Sequence, residues 1–368
     1  MQISISKNDL LDGINTVIKA VDNSNRYVNS LYECLLIDAS SNKIRFVANN
    51  EEIGIETVVE GKIIKNGKIA IAAHFLQDTI RNIPDGEINI YTDDNLVVTI
   101  KSGSIEYNIN GKDGDSFNDL APIKREEKLV INELILKNMI TKTIFSISES
   151  NANKVLSGES FIVRNGNLCI KGIDGNRVSV RNQKVDDASL DKEIVIPGKS
   201  LKEIIKLIGS DPEKNITLYF MPSHLAFEYD ETLIVVRLID GKFINIDNFF
   251  IKDYETKATF NRTELVNSLE RTLPLIREDK KPVIIDINKD VFEVKLVTNY
   301  GSYYDKLFIS TEGINIKIAL NPKFLLDALK AIDDDEVSLF FMSQKNPCFI
   351  RDENDSYIYI VMPVNINL

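Results

Sequence analysis

Two histidines, three cysteines and a few aspartate runs are the residues of this 368-residue sequence whose types could support chemistry. His74 and His224 stand far apart, neither with a second ligand at the spacing a zinc site needs, so both read as structural or surface residues. With two histidines and no nucleophile motif, a Ser/His/Asp constellation cannot be assembled. Cys34, Cys169 and Cys348 form no CxxC pair. An odd, scattered set argues against a disulfide framework and suits a reducing cytosol. Pro197-Gly198-Lys199-Ser200 looks like the end of a phosphate-binding loop, but that pattern needs glycine where Glu193 stands. The Asp93-Asp94 pair and the Asp333–Asp335 run could be metal carboxylates, yet they fall at equivalent turns of a repeat, where aspartate is favoured for its own reasons. No catalytic site, metal site or cofactor is expected.

The elements that position these residues come next. The length fits two or three domains, and 43% hydrophobic with 27% charged residues is the composition of a soluble protein with ample core. No apolar run approaches the ~18–20 residues that span a bilayer. The start, MQISISKNDLL, lacks a basic region followed by an apolar stretch, so no secretory signal is read and the compartment expected is the cytoplasm. A net charge of −11 disfavours non-specific adhesion to nucleic acid, unless the basic residues are concentrated on one surface.

Three stretches share one pattern: IAIAAHFLQDTIRNIPDG from Ile69, IVIPGKSLKEIIKLIGSDP from Ile194 and IALNPKFLLDALKAIDDD from Ile318. Their starts are 125 and 124 residues apart, and each reads as strand, amphipathic helix, acidic turn and further strands. A second series opens at Ile3, Leu129 and Ala258; aligning Ile5, Ile131 and Phe260 gives separations of 126 and 129. A fixed period of this size implies three copies of one domain, each built from two strand–helix–strands halves. The rest alternates with period two between Asn, Gly and Asp turns. The class is α+β, mainly antiparallel, with two helices per copy. Linkers are expected near Ala121–Lys128 and Phe249–Lys257, where charge clusters interrupt the strands, giving domains over 1–122, 123–252 and 253–368.

On this threefold repeat, GIDGNRVSV (Gly172–Val180), LIDGKF (Leu238–Phe243) and IVMPV (Ile360–Val364) stand in the order of the bacterial DNA polymerase III beta subunits, the DNA sliding clamps, which the chain resembles over its full length. Asn176 stands where that family usually has His, Ile244 where it usually has Pro, and the tail ends Asn365-Ile366-Asn367-Leu368, longer and less basic than usual. The resemblance implies three tandem clamp domains that dimerise head to tail into a closed six-domain ring. It implies a processivity factor, not an enzyme, that encircles duplex DNA and tethers the replicative polymerase, the clamp loader and other proteins carrying short clamp-binding peptides. The peptide pocket it implies uses Leu156, Ile173, Gly175, Asn176, Arg177, Val178, Ile244, Asn248, Phe249, Ile360, Met362, Pro363 and Val364. In that pocket Arg177 is expected to hold a peptide carbonyl or carboxylate. The subunit seam it implies uses Tyr107, Leu275 and Ile276.

The helices fit such a ring. Packed helices sit ~8–10 Å apart, so twelve side by side make a circle of roughly 110 Å with about 25 Å of open bore. The windows 7–20, 73–82, 133–146, 199–208, 262–271 and 321–332 hold 12 Lys/Arg against 8 Asp/Glu, while the remainder holds 32 against 47. At 100° per residue, Lys199, Lys202 and Lys206 share one face opposite Leu201, Ile204, Ile205 and Ile208. Lys323 and Lys330 line up similarly, although Asp327 lies between them. Candidate DNA-facing residues are Arg26, Lys137, Lys142, Lys199, Lys202, Lys206 and Lys330. Such a lining attracts phosphates without reading bases. Two readings compete: a repeat-built nucleic-acid enzyme with an acidic metal site, marked by metal-dependent turnover, and a protein-binding scaffold that never meets DNA.

Overall fold

A computed structural model describes residues 1–21, 31–149, 153–246, 253–276 and 281–365. Five strands run directly into a helix and a sixth does so through one capping residue, as the duplicated pattern requires. Helix α1 (Lys7–Val17) follows Gln2–Ser6, α2 (Ala73–Arg81) follows Lys68–Ala72, and α3 (Glu133–Thr141) follows Lys128–Asn132. Helix α4 (Gly198–Leu207) follows Lys192–Pro197, and α5 (Arg262–Glu270) follows Thr256–Asn261. After the short α6 (Leu273–Ile276), α7 (Pro322–Lys330) follows Ile316–Leu320.

Capping explains where the helices start. The side chain of Ser6 accepts the Asp9 N–H, that of Asn261 the Glu264 N–H and that of Asn321 the Lys323 N–H, each satisfying a backbone donor that the first turn leaves open. Pro322 occupies the first turn of α7, where no N–H is needed. The ends differ from the expected windows. Helix α1 gives way to a 3₁₀ turn over Ile18–Ala20, and α3 stops at Thr141 before another over Ile144–Ser146.

The chain packs as two compact units, one of residues 1–133 with 206–238, the other of 134–205 with 239–368. In the first unit a five-stranded sheet runs in the order Lys62–Lys65, Gln2–Ser6, Glu87–Thr92, Val97–Ser102, Ile105–Asn110. Its nine-stranded sheet joins two thirds of the repeat, because Ile53–Val59 pairs antiparallel with Thr232–Arg237. In the second unit a nine-stranded sheet is joined in the same way by Arg177–Lys184 and Tyr357–Val361, and a four-stranded sheet ends on Gly301–Phe308. The apolar faces of helices and sheets meet. Leu10, Ile14, Leu76 and Ile80 are buried in the first unit, and Leu265, Leu269, Leu325 and Leu329 join one core cluster in the second. Glu159 breaks the apolar rule: it is fully buried, and neither carboxyl oxygen has a hydrogen-bond partner among the described residues. The Thr143 hydroxyl, which could favour the ionised form, donates instead to the Met139 carbonyl at 2.7 Å.

Burial therefore pushes the Glu159 carboxyl well above the usual carboxylate range, so the folded protein holds it neutral. A carboxyl raised on folding stabilises below its unfolded value, and that contribution is lost as pH rises toward the folded one. Glu159→Gln is expected to melt higher than the parent at pH 8, with the difference shrinking toward pH 5. Calorimetric melting across that range checks it; a pH-independent difference would overturn the assignment.

Candidate functional site: an apolar cleft, basic helices and open sheet edges

The strand joint in the second unit carries several of the expected pocket residues. Val178 lies opposite Ile360 in the ladder. Past the last pair, the Met362 N–H donates to the Asn176 carbonyl at 2.8 Å and the Val364 N–H to the Ala319 carbonyl at 2.9 Å, so the tail is pinned on both sides. Ile173, Val178 and Ile360 form a buried cluster with Phe243 and Ile246, and Leu156 packs against it. Of the other expected pocket residues, Met362 and Pro363 are half-buried, while Ile244 is 41% and Val364 37% exposed.

The turn that leads into this ladder is held by hydrogen bonds. Asp174 accepts the N–H groups of Asn176 and Arg177 at 2.9 and 3.1 Å, and Gly175 takes a φ of +94° that only glycine adopts freely. Arg177, expected to hold a peptide carbonyl or carboxylate, already has carboxylate partners within the chain. It donates to Asp174 at 2.8 Å and to Asp327 at 2.6 Å, lies 4.5 Å over the Phe324 ring, and its side chain is only 12% exposed. Two of its N–H groups are held by carboxylates, so it ties the turn at Asp174 to Asp327. Asp327, which interrupts the lysine pattern of α7, is thereby turned to Arg177.

The remaining expected residues separate. Lys199, Lys202 and Lys206 are exposed along α4, opposite the buried Leu201, Ile204 and Ile208. Lys330 is half-exposed and paired with Glu270 at 2.6 Å. Lys137 is half-buried on α3. Lys142 departs from its expected phosphate-facing role: its side chain is 15% exposed and ion-paired with Asp333. Arg26, Asn248 and Phe249 lie outside the described residues.

Each sheet ends on strands with one side unpaired among the described residues, and two of these edges lie by the expected seam residues. Tyr107 is exposed on Ile105–Asn110. Leu275 and Ile276 are partly buried on α6, beside the core that carries Gly301–Phe308. That strand exposes Tyr304 and Phe308, which the sequence reading left out although its alternation marks them. Phe243, Ile246, Phe324 and Asp327 were also left out; Phe243 stood within the DGKF stretch, whereas Phe324 and Asp327 had no local signal.

The decoys resolve as turns and caps. Asp93 accepts the N–H groups of Asn95 and Val97 at 2.9 and 2.8 Å, and Asp334 accepts the Tyr357 hydroxyl at 3.0 Å. Gly198 opens α4, where an added Cβ would lie 2.1 Å from Ile147. Among the described residues no group of three or more His, Cys, Asp or Glu side chains is placed to hold a metal ion, and no helix is long and apolar enough to cross a membrane. The three cysteines are free thiols.

Comparison with known proteins matches three successive stretches of the chain. Models of the DNA polymerase III beta subunit match with the N-terminal domain over residues 1–121, the central domain over 130–245 and the C-terminal domain over 248–365. A beta sliding clamp of Staphylococcus epidermidis is 28% identical over 99% of both chains. A crystal structure from Eubacterium rectale, titled a DNA polymerase III beta subunit, superposes with a TM-score of 0.97 at 37% identity over the whole of both chains. The DNA polymerase sliding clamp of Bacillus subtilis superposes at 0.95 and 26%, again over both full lengths. No metal-dependent enzyme reading finds support in these relatives. The chain belongs to the DNA polymerase III beta subunit family, the bacterial sliding clamps.

Proposed function

We propose that this chain is a DNA polymerase processivity factor without chemistry of its own, a cytoplasmic sliding clamp that closes as a homodimer around duplex DNA. The observation that carries this reading is the match between its sheets. Each chain has two nine-stranded sheets, each made by pairing strands from successive thirds of the repeat. The five-stranded and four-stranded sheets end on the open strands Ile105–Asn110 and Gly301–Phe308. Paired between two chains, they would complete a further nine-stranded sheet at each of two identical seams, and twofold symmetry closes the assembly. Tyr107, Leu275 and Ile276 are proposed to stand in this seam, with Tyr304 and Phe308 added to them.

Within the closed dimer, Lys199, Lys202, Lys206, Lys330 and Lys137 are proposed to face the duplex. Exposed lysines attract phosphate diffusely and are screened by salt, which permits sliding, while closure prevents escape. The partners proposed for the apolar cleft are the replicative polymerase, the clamp loader and other proteins bearing short peptides with apolar anchors. Ile244, Met362, Pro363 and Val364 offer the contact surface, and Arg177 fixes the wall behind it.

Three measurements test this reading. Loaded onto nicked circular DNA, the protein is expected to stay bound and to be released when the circle is linearised; retention on the linear form would sink topological closure. The dimer is expected at twice 41.6 kDa, and Leu275→Asp is expected to give a folded particle at 41.6 kDa in multi-angle scattering. An undisturbed dimer would remove Leu275 from the seam. Met362→Ala is expected to weaken a partner peptide about tenfold with the melting temperature unchanged, because central apolar contacts dominate such interfaces. Equal affinity would place the peptide elsewhere.

A further inference from the structure

The strand joint in the first unit repeats the one behind the cleft, residue for residue. Gly54 lies opposite Val235 where the second unit has Val178 opposite Ile360. The Arg237 N–H donates to the Glu52 carbonyl at 2.9 Å, as the Met362 N–H does to Asn176. The turns match as well: Asn50 accepts the N–H groups of Glu52 and Ile53, as Asp174 accepts those of Asn176 and Arg177. Glu51, with φ +71°, thus stands in the place of Gly175.

At this equivalent position there is a second cavity of about 460 Å³, with Gly54 and Val235 in its floor and Leu120 of the connecting segment in its wall. Its chemistry is reversed. Where the apolar cleft has Met362, this one has Arg237, an exposed cation whose side chain has no hydrogen-bond or ion-pair partner among the described residues. Arg237 is cross-strand from His224, whose imidazole is held below its usual pKa by burial and by Arg237 itself, so Arg237 supplies the positive charge at that end. Glu51 and Asp119 bring carboxylates to the same lining. Asp119 is bound to Arg45, while Glu51 is exposed and accepts the Tyr32 hydroxyl. A glutamate held at positive φ costs stability that glycine would not, and such strain concentrates at working surfaces.

We propose that this first-unit cavity is a second docking site, which takes an extended mixed-charge peptide: a carboxylate against Arg237 and a cationic side chain against Glu51. Arg237 ends the strand Thr232–Arg237 and Glu51 stands in the turn that leads into its neighbour Ile53–Val59, strands ~4.8 Å apart, so an extended peptide with acid and base side chains two or three residues apart is the size of probe to match the pair. The parallel rests on reading the second-unit cleft as a peptide site, but the charge arrangement stands without it.

The probes are the acetylated, amidated peptides Lys-Ser-Gly-Glu and Glu-Gly-Ser-Lys, titrated into the intact dimer by ligand-observed NMR, with Gln-Ser-Gly-Gln as the uncharged control. At least one charged peptide is expected to bind saturably at low salt, and the control is not. Arg237→Gln and Glu51→Gln are each expected to weaken binding about threefold to fivefold, the range of an exposed ion pair. Both residues are on the surface, and an unchanged melting temperature shows that each variant is folded. Met362→Ala is expected to leave these titrations unchanged while weakening the apolar partner peptide, which separates failure of one site from failure of the other. Absence of saturable binding by either charged peptide, or binding undiminished in Arg237→Gln, would overturn the proposal.

Discussion

Open strand edges are the constraint on which this architecture turns. An unpaired edge presents a row of N–H and C=O groups that will pair with whatever β-strand it meets. Each third of the repeat has such edges, and within the chain they are consumed by its neighbour: Ile53–Val59 by Thr232–Arg237, and Arg177–Lys184 by Tyr357–Val361. The functional surfaces are consequences of this pairing. The ladder through Val178 and Ile360 brings the Gly175 turn beside the tail, where the peptide site is proposed. The cavity at Arg237 exists because the same ladder is built again.

The sequence revealed the helices and the repeat but not the pairing. Apolar residues at helical spacing and the caps at Ser6, Asn261 and Asn321 are local signals, and all six expected helix positions hold helices. Alternation in a strand tells which residues face the core, not which strand lies alongside. The bond between the Thr57 and Thr232 hydroxyls, 175 residues apart, has no local trace. Lys142 shows how a boundary error becomes a site error. The window 133–146 treated it as helical, but α3 ends at Thr141, so the 100° rule no longer gives its direction. It meets Asp333 instead. Arg177 was placed in the cleft on resemblance, while its two carboxylate partners come from three and 150 residues away.

Charge placement explains how an acidic protein can suit a polyanion. The net charge of −11 belongs to the chain as a whole, whereas α4 shows Lys199, Lys202 and Lys206 on its exposed face. Strong local pairing would defeat a sliding role, because a phosphate held by a preorganised fork is slow to leave. Lysine is the suitable cation for the opposite need, being flexible, strongly hydrated and without fixed geometry. The two most tightly engaged arginines, Arg45 and Arg177, are used for structure. Each holds carboxylates from separate elements beside one of the strand joints.

This division of labour shows how a duplicated scaffold acquires distinct surfaces. Backbone hydrogen bonds at the two joints are the same to within about a tenth of an ångström at the Met362 and Arg237 amides, because the ladder dictates them. Side chains at the ends of the ladder do not hold the sheet together, so they are free to differ. One joint places Gly175 and Met362 there and leaves an apolar surface; the other places Glu51 and Arg237 there and leaves a polar one. A change of partner chemistry at either joint therefore needs only rim substitutions, with the core of Val178, Ile360 and their neighbours left intact.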